Sequence, residues 1–146
     1  MDAHKIKNHR SASGDPFPDF QKILGEELTA LQSRIYRLFS VRFKIDLPHE
    51  MAKTQEIVVS VHPENATADD FSLSECFQRL GLWPRERVFI NWGRFDDIDA
   101  LFTTDLAWAF SSVWYSGIDD IEIFDESLDW MVAIAHDGTV ELRFGP

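Results

Sequence analysis

Few residues of this 146-residue chain are typed and spaced for chemistry. His136-Asp137-Gly138 sets an imidazole beside a carboxylate, a pairing that metal phosphohydrolases use. Those enzymes place the pair on helices with further His and Asp ligands. Here Asp137-Gly138 is also the dipeptide that a two-residue hairpin turn favours, because both central positions take positive φ. Turn geometry is the expected explanation. Asp96, Asp97 and Asp99 form one acidic cluster, and Asp119, Asp120 and Glu122 form another. Carboxylates can hold Mg²⁺ or Ca²⁺, but a calcium loop needs an ordered ligand set with a glycine at its turn. Asp96-Asp97-Ile98-Asp99 does not continue into such a loop. A divalent-metal-dependent hydrolase built with His136 or His62 is therefore kept as an alternative. His49 and His62 are isolated, and His4 and His9 fall in a polar amino-terminal segment.

Cys76 lies on the apolar face Leu73, Cys76, Phe77, Leu80 of an expected helix, with no histidine near it in sequence. A buried small hydrophobe is the expected role. Phosphate-binding glycine loops, nucleophile elbows and paired CxxC motifs are missing from the chain. No catalytic residue, metal ligand or cofactor is assigned.

Charge is the more informative property. Residues 1–45 carry 8 Lys/Arg against 5 Asp/Glu, residues 46–91 carry 4 against 8, and residues 92–146 carry 2 against 12. No Lys or Arg stands between Arg94 and Arg143. Such a block repels nucleic acid and anionic lipid and favours basic partners. An acidic surface that serves only solubility is the competing explanation. No apolar run approaches the roughly 20 residues that cross a bilayer, and a single cysteine fits a reducing compartment. A cytoplasmic location is expected.

These residues need elements to position them. Residues 1–16 are expected as a flexible tail and residues 17–146 as a single domain. A first helix is expected from Asp19, carrying Phe20, Ile23, Leu24, Leu28, Leu31 and Ile35. Strict alternation over Phe39–Leu47 predicts a half-buried strand, with a loop from Pro48 to Gln55. Ile57, Val59 and Val61 predict another strand, ended by Pro63. Ser72 and Glu75 form a capping box for a second helix that Gly81 closes. Val88–Trp92, Ile118–Phe124, Trp130–His136 and Thr139–Phe144 are further strands, and Thr103–Ser116 is a third helix. The sum is an α+β fold, a mainly antiparallel sheet with about three helices and a carboxy-terminal β-meander.

The third helix has two notable faces. Leu106, Ala107, Phe110, Val113 and Trp114 make one apolar stripe at 100° per residue. Trp108 and Tyr115, two turns apart, lie on the opposite side with Asp105, Ser111 and Ser112. Aromatics on a wet face can mark an interface. A helix buried on both sides accounts for them equally well. Trp83, Trp92, Trp114 and Trp130 are assigned to the core.

The segment Ile121-Glu122-Ile123-Phe124-Asp125-Glu126-Ser127-Leu128-Asp129-Trp130, continued by His136-Asp137-Gly138-Thr139-Val140, resembles the terminal meander of immunity proteins from bacterial polymorphic or contact-dependent toxin systems. The resemblance covers under a fifth of the chain and carries no family site motif. It implies a cytoplasmic acidic domain that caps the active surface of a toxin. The charge pattern leads independently to an acidic protein-binding domain for a basic toxin or nuclease, with no direct contact to nucleic acid or membrane. On that expectation Asp96, Asp97, Asp99 and Asp105 form an acidic rim, Trp108 and Tyr115 anchor the partner, and Asp119, Asp120 and Asp129 extend the field. A DNA-mimic inhibitor, or an adaptor of a basic host protein, is the alternative within the binding class.

Overall fold

The computed structural model describes residues 1–38 and 58–144. The strand expected over 39–47 and the loop after it lie outside these residues. Among the described residues the chain forms α1 (Ala3–Ser13), β1 (Phe20–Lys22), α2 (Gly25–Leu38), β2 (Val58–Asn65), α3 (Leu73–Arg79) and β3 (Arg87–Asn91). β4 (Ile98–Phe102), α4 (Thr103–Val113), β5 (Ile121–Asp125), β6 (Trp130–Ile134) and β7 (Thr139–Phe144) follow. The seven strands make one antiparallel sheet in the order β1-β4-β3-β5-β6-β7-β2. The fold is α+β, with β5, β6 and β7 as a meander.

Alternation along the strands divides the sheet into two faces. Val88, Ile90, Leu101, Ile121, Ile123, Val132 and Ile134 point to one, where α3 and α4 pack through Leu73, Cys76, Phe77, Leu106, Phe110 and Val113. Phe89, Ala100, Phe124 and Met131 point to the other, under Ile23 and the Leu31 and Ile35 face of α2. β6, the Trp-Met-Val-Ala-Ile strand near the middle, is buried on both faces along its whole length. A run without polar positions is what a strand covered on two sides requires.

Local signals work where the element is self-contained. Ser72 Oγ accepts from the Glu75 amide at 3.4 Å and starts α3. Gly81, at φ 69°, ends it, with the Leu82 amide donating to the Phe77 carbonyl at 2.8 Å and the Gly81 amide to Gln78 at 3.0 Å.

Several expectations are corrected. The amino-terminal tail is instead α1, started by Asp2 Oδ1 accepting from the His4 amide at 2.7 Å and closed by Gly14. Its sequence has almost no apolar face, so the contacts that order it are polar and lie in the rest of the fold. The helix expected from Asp19 is replaced by β1, paired with β4 from Phe20↔Leu101 to Lys22↔Asp99, and α2 starts only at Gly25. Gly25 sits at φ 57°, which breaks a helix running through it. β4 had no place in the sequence reading, because a buried Asp99 interrupts its alternation. β2 continues past Pro63 to Asn65, with a register shift between Val61 and Asn65. Among the described residues it borders only β7, so a residue with no backbone N–H is tolerated.

The Asp137-Gly138 hairpin forms, but as a three-residue loop. The Gly138 amide donates to Ala135 at 2.8 Å, the Ala135 amide donates to Thr139 at 2.9 Å, and of Asp137 and Gly138 only Gly138 has positive φ. That is a type I turn followed by a left-handed glycine. Trp114 and Trp130 are buried and Trp92 half-buried, as a core role needs, but Trp83 is 84% exposed. Trp83 stands on the α3–β3 connection, one residue after the Schellman closure, where the chain has already left the core.

Candidate functional site

A cleft of about 520 Å³ opens between α4 and the loop that leads from β2 into α3. Asn65 fixes that loop: its Oδ1 accepts from the Thr67 amide at 2.8 Å and its Nδ2 donates to the Asp137 carbonyl at 3.1 Å. Two turns follow, with Ala68 donating to Asn65 and Phe71 donating to Ala68, both at 3.0 Å. The turns bring Asp69 and Phe71 to the cleft. From α4 come Trp108, Ser111 and, on its buried side, Phe110, and Trp114 and Tyr115 follow just past its end.

Aromatic rings build the floor. Phe71 lies 5.5 Å from Phe110, and Phe110 stacks on Trp114 at 5.9 Å with 9° between the planes. Trp108 stands at the lip, 61% exposed. None of the lining residues is Lys, Arg or His, and Asp69 is the one charged group among them. Asp70 adjoins Asp69, and Asp105 precedes Trp108 by three residues, hence on the same helix face. Among the described residues none of these three aspartates forms an ion pair. Asp105 also lies in the first turn of α4, where the helix dipole favours a carboxylate.

The back of the second face of α4 is covered by α1. Lys5 is buried, and its Nζ donates to the Val113 carbonyl at 2.7 Å and pairs with Asp119. The same ammonium lies 4.4 Å from the Tyr115 ring centre and 4.8 Å from that of Trp92. His9, also buried, meets Ser112 Oγ through Nδ1 at 2.9 Å, and its ring edges onto Phe17 and Trp108, both at 5.4 Å. Helix periodicity alone left open whether this face is wet or covered. It is covered along the Ser112–Tyr115 side and open at Trp108. The inner stripe is Leu106, Ala109, Phe110, Val113 and Trp114, with Ala109 buried more deeply than the expected Ala107.

The expected acidic rim is dispersed. Asp97 pairs with Lys22. Asp99 is fully buried, pairs with the Met1 ammonium and accepts from Trp92 Nε1 at 2.8 Å. Asp119 belongs to Lys5 and to the Tyr115 amide, which donates to it at 2.7 Å. Asp120 pairs with His136 at 2.9 Å. Asp96, Asp105 and Asp129 form no ion pair among the described residues. Strand register also separates them. Asp96, Asp97, Asp99, Asp119 and Asp120 gather at the end of the sheet where β3 finishes and β5 starts, whereas Asp105 and Asp129 adjoin the opposite end. The helix expected to Ser116 ends at Val113, so of the expected site residues Trp108 lines the cleft from α4, Tyr115 lines it from just past the helix end, and Asp105 stands on α4 beside it. Asp69, Asp70 and Phe71 were missed, since nothing in their local pattern tells a loop that faces a cleft from one that faces bulk water.

Other candidate chemistry is accounted for locally. Cys76 is fully buried, and burial pushes its thiol up to about 11, away from thiolate chemistry. His136 is exposed at the β6–β7 turn, and the Asp120 carboxylate beside it raises its pKa. His62, expected as a possible ligand with His136, lies on β2 with its pKa lowered by burial and by Arg79. Among the described residues no three His, Cys, Asp or Glu side chains converge as a metal site. No helix among them is long and apolar enough to cross a membrane.

No protein-family model matches the chain, and no curated protein or solved structure gives a match.

Proposed function

We infer that the chain is an acidic protein-binding domain that docks a basic partner at the cleft between α4 and the Ala66–Phe71 loop, in the manner of an immunity-type inhibitor that covers the working surface of a toxin or nuclease. One observation carries this reading: Trp108 stands 61% exposed at the lip of an aromatic cleft that has Asp69 in its wall and no cation. An indole left in water beside a groove is the residue type most often found to dominate binding energy. The net charge of −11 supports a basic partner, because opposite charge speeds encounter and excludes acidic competitors.

The test uses a panel of basic ribonuclease and deoxyribonuclease toxin domains immobilised for surface plasmon resonance. Trp108→Ala is expected to weaken the cognate complex by about 2 kcal/mol, close to 30-fold, mostly through faster dissociation. Asp105→Asn with Asp69→Asn is expected to slow association and flatten its dependence on salt. A complex indifferent to Trp108 places the docking surface elsewhere, and the reading fails.

A further inference from the structure

Lys5 occupies a small site with the makings of a cation receptor. Two rings, Tyr115 at 4.4 Å and Trp92 at 4.8 Å, face its ammonium. The Asp119 carboxylate and the Val113 carbonyl, at the carboxy-terminal end of α4, accept its protons. Aromatic faces, a carboxylate and the negative end of a helix all favour one class of ligand, a primary ammonium. Other groups also hold Asp119: its carboxylate accepts from the Tyr115 amide at 2.7 Å, and its carbonyl accepts from Trp114 Nε1 at 2.9 Å. Trp92 Nε1 is anchored on Asp99 at 2.8 Å. The walls are tied to the end of α4, the sheet and the loop before β5, and α1 touches one of them a second time, with Asn8 Nδ2 donating to Tyr115 Oη at 3.5 Å.

The helix that carries it is loosely suited to its seat. Ile6 of α1 and Met1 just ahead of it are the apolar groups this segment packs on the core, while Lys5 and His9 meet aromatic rings and the other contacts are polar. Two buried side-chain polar atoms lack a hydrogen-bond partner among the described residues, His9 Nε2 and Asp99 Oδ1. The first is on α1, and the second, on β4, lies 3.9 Å from the Lys22 ammonium, so the α1 interface itself leaves His9 Nε2 unsatisfied. An interface that buries few apolar groups and leaves polar ones unsatisfied opens more readily than a packed core.

We propose that Trp92, Tyr115, Asp119 and the Val113 carbonyl form a lysine-binding cage that Lys5 fills in cis, and that a lysine side chain of a partner takes the cage when α1 lifts. The occupant is lysine rather than arginine, because the acceptors, Asp119 Oδ2 and the Val113 carbonyl, converge on one compact ammonium, and Asp119 Oδ2 already accepts from the Tyr115 amide, which works against a bidentate planar fork. Lifting α1 also uncovers the side of α4 between Ser112 and Tyr115. The proposal does not rest on the cleft reading, and a failed Trp108 test leaves it standing.

Two measurements on the full chain test it. In the first, amide hydrogen exchange of the wild-type protein is followed by mass spectrometry. The amides of α1 are expected to exchange about 100-fold faster than those of α4, through opening of that helix alone. An octalysine peptide should accelerate α1 exchange further, and the same peptide with acetylated side chains should not. If α1 exchanges in step with α4, or if sodium chloride at matched ionic strength reproduces the octalysine effect, the proposal is overturned.

In the second, n-butylammonium is titrated into Lys5→Ala, with Lys5→Met as a second variant in case the alanine protein folds poorly. The amine is expected to raise the Tm of the vacated protein by about 2 °C at saturation, to do nothing to wild type, and to lose its effect when Asp119→Asn is added. Equal shifts in the variant and in wild type would mean that the cage does not select an ammonium.

Discussion

The carboxamide of Asn65 lies against the α-carbon of Gly138, and this contact ties the start of the cleft loop to the β6–β7 turn. A Cβ on residue 138 would overlap Asn65 Oδ1 and come within 2.7 Å of its Cγ. The same glycine sits at φ 87°, a conformation that costs an L-residue about 1 kcal/mol or more.

Gly138→Ala is therefore expected to destabilise the protein by about 2–4 kcal/mol, since strain and overlap act together. Its second effect should be local. The displaced Asn65 side chain releases the Thr67 amide and the Asp137 carbonyl, so amide exchange should quicken across residues 65–71. Urea unfolding gives the first quantity and hydrogen exchange the second. Loss of stability without a disturbed loop would mean that the glycine serves the turn alone.

The exposed His136–Asp120 pair makes a separate prediction. His136 is expected to titrate above its ordinary value of 6.5, chiefly because its ring is hydrogen-bonded to Asp120. Asp120 is held below its ordinary 3.8, first by the His136 backbone amide and then by its ring. The histidine contribution is complete at low pH and is lost as pH rises through its folded pKa. The aspartate contribution is present above its unfolded pKa and is lost as pH falls through the depressed one. The pair is strongest between these limits, in mildly acidic solution. Proton NMR of the His136 ring should show the raised value, and Asp120→Asn should return it towards 6.5. An identical titration in both proteins would disprove the coupling.

Glu122 acts in the opposite sense. Burial raises its pKa, only partly offset by the hydrogen bond from Asn91 Nδ2 at 2.6 Å and by Arg143 at 3.8 Å. For a carboxyl raised in the folded state, stability is full below the unfolded pKa and falls as pH climbs through the folded one. Glu122→Gln keeps an acceptor for Asn91 and removes the charge. It is expected to raise the Tm at pH 7 and to leave it nearly unchanged at pH 4, as scanning calorimetry would reveal. A lower Tm at pH 7 would show that the Arg143 attraction outweighs desolvation.

How much of this was legible in the sequence depended on where the ordering energy lies. The Ser72 cap, the Gly81 closure and the β5–β6–β7 meander are written in neighbouring residues, and each was read correctly. β6 was legible because five successive apolar residues have few other uses. α1 was not, because Lys5 and His9 look like surface residues until Asp119, Ser112 and Trp108, more than ninety positions away, are brought beside them. Asp99 misled for the same reason: read as rim, it is a buried partner in the middle of β4. Beside the cleft, helix periodicity drew notice to Trp108 and Asp105, whereas Tyr115 lies past the end of α4 with its ring under Lys5. The opposing wall from Ala66 to Phe71 came from tertiary structure alone.

The carboxy-terminal half of β2 has one more consequence. Pro63 offers no proton to a neighbour, and the slip in register between Val61 and Asn65 bends the ladder just where its outer rim begins. Among the described residues β2 is an end strand, and a foreign strand laid along it would meet a row of donors interrupted at Pro63, which disfavours continued pairing.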